Sequence, residues 1–116
     1  IKRKFKVYFF DLGIRNAVIG DFTPLSQRRD SGFLLENSVA IGIRRRIEYD
    51  RKLYHMYFWR DYDGNEVDLV IKNRKNYGIE VKMERRRAKI SRAFYKAFPS
   101  IKTMIVDIHN AYKMCL

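Results

Sequence analysis

The stretch NEVDLVIKNRKNYGIEVKM, residues 65–83, decides how this chain reads. Apolar residues alternate with polar ones on both sides of a polar NRKN turn, which predicts two short strands joined by a hairpin. In 66–71, Val67, Leu69 and Ile71 are expected to point one way and Glu66 and Asp68 the other. In 77–83, Tyr77, Ile79, Val81 and Met83 share one face, and Gly78, Glu80 and Lys82 share the opposite one. For both apolar faces to meet one core, an odd-length turn centred near Arg74 must set Asp68 opposite Glu80. Like charges directly opposite on a sheet are unfavourable unless something neutralises them. A divalent cation does this, and so does a neighbouring lysine or arginine.

Upstream, 53–60 (LYHMYFWR) is a strand rich in aromatics. Its DG signal at Asp63 and Gly64 turns it straight back into 66–71, so three strands form a meander with Asp68 on the middle one. Residues 32–49 carry a helical pattern, in which Glu36, Ala40, Ile43 and Ile47 fall on one stripe. A carboxylate on a buried helix edge needs a partner. Either a salt bridge or hydrogen bond satisfies Glu36, or it is a third acid aimed at the site of Asp68 and Glu80. Arg44, Arg45 and Arg46 lie late in this helix, where positive charge suits its dipole.

Downstream, 88–98 reads as an amphipathic helix with Ile90, Ala93, Phe94, Ala97 and Phe98 inward, stopped by Pro99. Lys89, Arg92 and Lys96 stripe its outer side. Arg85, Arg86 and Arg87 are expected at its start, where positive charge opposes the dipole, so phosphate binding explains them better than helix stability does. A solvated face is the plain alternative. Residues 102–108 form a last strand, parallel to 77–83 through a right-handed crossover. Before all this, 5–10 (FKVYFF) reads as a strand behind a solvated lead-in of Lys2, Arg3 and Lys4. Asp11 caps a short helix over 12–19, and 20–31 is a loop. The tail, 110–116, is expected against the core or a neighbour.

The chain has 116 residues, enough for one domain with a real core. Its net charge of +12 favours an anionic partner, with nucleic acid ahead of an acidic membrane. A thermophile-style surface would balance Lys with Glu, and this one does not. The single cysteine, Cys115, and the lack of an export pattern point to a reducing, cytoplasmic setting. The first residue is Ile, so the chain is expected to be a piece of a longer protein. No apolar run is long enough to span a membrane. Trp59 is expected in the core or against a neighbour rather than on a base.

Hard oxygen ligands without a His or Cys cluster suit Mg2+ or Mn2+, and His55 and His109 are expected to be structural. Asp68 and Glu80 are the expected metal ligands, with Glu36 as a further one, and Lys82 beside them stabilises charge on a phosphate. Glu-X-Lys alone is a weak signal. Together with the upstream Asp, the helix Glu and the basic surface it is more specific.

In that order and in those residues, the sequence resembles the PD-(D/E)XK, or restriction-endonuclease-like, superfamily. Within it, the chain is similar to the C-terminal domain of unknown function of predicted archaeal and bacterial AAA+ ATPases. FFDLGIRN (9–16), GFLLENSVA (32–40), WRDYDGNEVDLV (59–70) and IEVK (79–82) carry the resemblance. Val67 stands where the family usually has Pro. The resemblance implies an α/β fold with an α-β-β-β-α-β core and a mixed sheet flanked by helices, preceded by a strand and short helix. It implies active-site positions at Glu36, Asp68, Glu80 and Lys82, with Glu66 as a secondary candidate. It also implies an ATPase part outside these residues, and no GxxxxGK phosphate loop occurs within them. Related resolvases pair as dimers, so a homodimer is a further expectation, although no feature of the sequence demands one.

Three functions follow as expectations. The first is a Mg2+- or Mn2+-dependent deoxyribonuclease module, with DNA contacts at Arg85, Arg86, Arg87, Lys89, Arg92 and Lys96. The second is a non-catalytic DNA-binding or regulatory domain whose acid–lysine cluster is an ion network. The third is an interaction domain docking on its own ATPase.

Overall fold

The chain was analysed as a computed structural model that describes residues 5–51 and 53–115. The expected lead-in of Lys2, Arg3 and Lys4 lies outside them. Two helices come first: α1 (Leu12–Ile19) and α2 (Ser31–Tyr49). Strands β1 (His55–Arg60), β2 (Glu66–Lys72) and β3 (Tyr77–Val81) follow. Then come α3 (Arg92–Ala97), β4 (Lys102–Val106) and α4 (Tyr112–Cys115). The sheet order is β1-β2-β3-β4. The first two pairings are antiparallel and β3–β4 is parallel. This is an α/β fold with a mixed four-stranded sheet, and its element order from α2 onward is the expected one.

Each sheet face has its own core. Leu35, Val39, Ala40 and Ile43 of α2 pack with Leu69, Ile71, Ile79 and Val81. On the other side, Phe94 of α3 is fully buried with Val67 and Val70. Gly78 makes room for it: a Cβ there would lie 2.6 Å from the Phe94 ring. Trp59 meets that ring edge-on at 5.3 Å, a core role as expected. Tyr77, Ile79, Val81 and Met83 all belong to the α2-side cluster, as their alternation predicts. On β2 the alternation breaks at Asp68. Val67 packs with Phe94, while Leu69 and Ile71 face α2. The β1–β2 register also shifts, between Tyr57 and Trp59, and such an irregularity re-aims side chains.

Several boundaries differ from expectation for local reasons. Residues 5–10 do not form a strand. The side-chain amide of Asn37 takes both backbone groups of Phe9, accepting from its N–H at 2.9 Å and donating to its carbonyl at 2.8 Å. That leaves Phe9 nothing to offer a ladder, so the segment is a strap clasped to α2. The helix expected over 88–98 is only Arg92–Ala97, because the Ser91 hydroxyl caps it by accepting from Phe94 N–H. Arg85–Arg87 forms a separate 3-10 turn, so the argument from an opposed helix dipole does not apply to them. The strand expected over 53–60 begins at His55, where pairing with Lys72 begins. The one expected over 102–108 ends at Val106, because the Asp107 carboxylate accepts from His109 and Asn110 N–H.

Other expectations match. Asp11 accepts from Ile14 N–H and caps α1 over the expected residues. The loop 20–31 holds only a short 3-10 turn. Arg28 is buried there, bonding Asp30 at 2.8 Å, and Arg15 meets the same carboxylate at 2.7 Å. Those guanidiniums hold the Asp30 carboxyl well below the usual range. In the tail, Ala111 is buried and Met114 packs on the α2-side core. No helix among the described residues is long and apolar enough to cross a membrane.

Candidate active site

The β2–β3 register pairs Leu69 with Ile79 and Val70 with Gly78. This is the register of a turn centred on Arg74, but the ladder ends at Leu69–Ile79, so the expected Asp68–Glu80 pair is not part of it. The regular pairing stops there because the Asp68 side chain enters it: Oδ2 accepts from the Val81 N–H at 2.8 Å. Oδ1 turns the other way, to the Lys6 ammonium at 3.2 Å. Asp68 therefore links two groups of charges.

The first group is gathered on Lys6. Its Nζ lies 2.9 Å from Glu36, 2.8 Å from Glu66 and 3.2 Å from Asp68. It also sits 5.4 Å from the centre of the Phe58 ring, a cation–π distance. The Tyr8 hydroxyl donates to the same Glu36 oxygen. Burial works against the Lys6 ammonium, but hydrogen bonds to Glu66 and Glu36 and the charge of Asp68 outweigh it and raise its pKa. Burial, then the bond to Glu36, raise the Tyr8 phenol. The Lys6 contact lowers the Glu66 carboxyl. Helix α2 thus places Glu36 at the acids by way of a lysine from the strap.

The second group is Glu80 and Lys82. The Glu80 side chain is only 7% exposed, and Lys82 Nζ stands 3.8 Å from its Oε1. The other oxygen, Oε2, is buried and has no hydrogen-bond partner among the described residues. Burial, and then the charge of Asp68, push the Glu80 carboxyl up to about 7. A buried polar atom left unpaired costs free energy and calls for an explanation such as a ligand or an ion.

The donor set was tested against Mg2+ or Mn2+. Among the described residues, no three His, Cys, Asp or Glu side chains are arranged to hold a metal. Mg2+, however, is usually held by one or two carboxylates plus substrate phosphates and water. Asp68 and Glu80 supply that pair, and the unpartnered Glu80 oxygen supplies a free donor. Asp68 and Glu80 are the pair that could hold the ion, with Asp68 itself bonded to Lys6 and the Val81 N–H, and with Glu36 and Glu66 engaged by Lys6.

The basic residues lie close by along the chain. Arg85, Arg86 and Arg87 are 62–79% exposed. Glu84 pairs with Arg86 at 2.6 Å, so part of that charge is answered locally. A groove of about 850 Å³ runs past Lys89, Arg92 and Glu66, joining basic residues to the edge of the acid cluster. Lys96, on α3, is exposed. The arginines of α2 serve other ends: Arg45 donates to the Phe10 carbonyl and Arg46 to that of Lys113.

Lys6, Tyr8 and Asn37 are the site residues that sequence reasoning missed. The available signal was a lysine and a tyrosine two apart in an otherwise apolar run, both unexplained by a buried strand.

The fold and site together define an α/β domain built around an acid–lysine cluster at the end of a strand pair. The chain belongs to the family described as "Domain of unknown function (DUF4143)", whose model matches residues 31–115. No curated protein and no solved structure matches the chain.

Proposed function

We propose that this chain is a Mg2+- or Mn2+-dependent nuclease module of the restriction-endonuclease-like, PD-(D/E)XK type, hydrolysing phosphodiester bonds in DNA as part of an AAA+ ATPase. The observation that carries it is Glu80: a buried carboxylate with one oxygen unpartnered among the described residues, close enough to Asp68 to feel its charge and 3.8 Å from Lys82. Asp68 and Glu80 would hold the ion, which when bound supplies Lewis acidity to a phosphate and lowers the pKa of a water. The Lys82 ammonium offsets charge developing on that phosphate. Arg85, Arg86, Arg87, Lys89, Arg92 and Lys96 bind flanking phosphates, and the groove past Glu66 gives the strand a path to the acids. The α2-β1-β2-β3-α3-β4 order supports the fold assignment. A dimer and a cytoplasmic setting remain part of this proposal.

One observation favours a second reading, a non-catalytic DNA-binding or regulatory domain. A single Lys6 ammonium already bridges Glu36, Glu66 and Asp68, as in a structural ion network. The test is incubation with supercoiled, linear and branched DNA plus Mn2+, alongside Glu80→Ala and Lys82→Ala. Cutting by the parent that both variants lack supports the nuclease. Equal, salt-sensitive DNA retention by all three with no cutting supports the binder.

A further inference from the structure

Residues 5–10 are the least conventional part of the molecule. They carry no regular structure, and yet one side chain, Lys6, holds three carboxylates from α2 and β2. The strap is attached at few points: the Asn37 clasp on Phe9, the Arg45 bond to the Phe10 carbonyl, and the Lys6 and Tyr8 side chains on the acids. Tyr8 packs on the α2-side core, but the apolar residues on either side of it are largely open. Phe5, Val7 and Phe10 are 82%, 67% and 61% exposed. A cavity of about 470 Å³ lies between the strap, α2 and β1, and its wall includes both Lys6 and Asp68. Apart from the Tyr8 ring, little apolar surface is therefore lost if residues 5–8 lift away, while the Asn37 clasp at Phe9 keeps the strap tethered.

We propose that the strap is a built-in gate: the Lys6 ammonium occupies the acid cluster as a tethered cation, and a divalent ion enters by displacing it. The proposal rests on the metal-site reading above. An ammonium and a divalent ion compete for the same Asp68 carboxylate, because two cations side by side repel. Lys6 bridges Glu36, Glu66 and Asp68 and offsets part of their charge when no ion is bound. Once it is displaced, Glu36 and Glu66 become available beside Asp68 and Glu80. Metal loading and strap release are then one coupled equilibrium, so anything that pulls on the strap favours ion entry.

Two measurements test this. The first is Mn2+ binding by electron paramagnetic resonance to the parent, Lys6→Arg and Lys6→Met chains, with folding checked by circular dichroism. Lys6→Met is expected to bind about tenfold to a hundredfold more tightly than the parent, the scale of a charge-assisted hydrogen-bond contact removed from the competition. Lys6→Arg stays near the parent. The second uses the unaltered chain and does not depend on any variant folding. Reductive methylation of Lys6, read by mass spectrometry, is expected to be slow alone and faster at saturating Mg2+. An ion that binds while Lys6 stays protected, or binds Lys6→Met no better, overturns the gate and leaves the metal site standing. No ion binding in any chain overturns both.

Discussion

Glu36 and Glu80 face the same problem with opposite outcomes. Glu36 lies on α2, a carboxylate 18% exposed, and receives an ammonium at 2.9 Å and a phenol hydroxyl besides. Glu80 lies on β3, more deeply buried, with Lys82 at 3.8 Å and one oxygen without a partner among the described residues. The first is what a fold does with a charge for stability. The second is an arrangement that stability alone does not favour, because an unpaired buried carboxylate is costly. Functional sites are where such costs are tolerated. Asp68 stands between them, bonded to Lys6 through one oxygen and to the β3 backbone through the other.

The contrast breaks most visibly in activity. Lys82→Ala is expected to lower DNA cleavage by about a hundredfold to a thousandfold, the scale of removing one group that stabilises transition-state charge. It should leave the thermal midpoint nearly unchanged, because the Lys82 side chain is 47% exposed. A similar loss in both would move Lys82 to the structural side.

Lys6→Met attacks the satisfied half. It strands three carboxylates together, and a loss of about 1–3 kcal/mol in urea unfolding is expected at neutral pH. Because the penalty is like-charge repulsion, it fades as the acids protonate at low pH. An equal loss at pH 3 would show that Lys6 acts through packing instead.

Glu80→Gln sharpens the other half. The folded carboxyl titrates at about 7 against an ordinary value of 4.5, so the folded chain holds that proton more tightly than the unfolded one. Its contribution is fully present below about 4.5 and lost as pH rises through about 7. The parent is therefore expected to lose on the order of 3 kcal/mol across that window, and Glu80→Gln to lose less. Parallel stability curves would remove the case for an energetically strained Glu80.

The smallest effect belongs to the exposed arginines. Arg86→Ala is expected to change stability by less than about 0.5 kcal/mol. If Arg86 meets a phosphate, the slope of log affinity for DNA against log salt falls by about 1. An unchanged slope assigns Arg86 to Glu84 alone.

What the sequence made legible were the features set by local periodicity and turn chemistry. Alternation across 77–83 and the turn centred at Arg74 gave the register of Leu69 with Ile79, whereas on β2 the alternation fails at Asp68. Asp11 read correctly as a cap, and the β3–α3–β4 crossover followed from chain order. What stayed hidden was set by distant contacts. FKVYFF has the composition of a strand, and only the Asn37 amide, 28 residues away, takes Phe9 out of the sheet. The same contact brings Lys6 to the acids, so the cluster's own counterion escaped a reading that looked for a metal. The length of α3 was misread because Ser91 caps it within what looked like one amphipathic run.

The most direct test is a crystal of the chain soaked in Mn2+, with anomalous scattering used to locate the ion. The account predicts one strong peak ligated by carboxylate oxygens of Asp68 and Glu80, with Lys6 moved off Asp68. Saturating Mn2+ that leaves no peak at that pair, with Lys6 still bridging Glu36, Glu66 and Asp68, would contradict it.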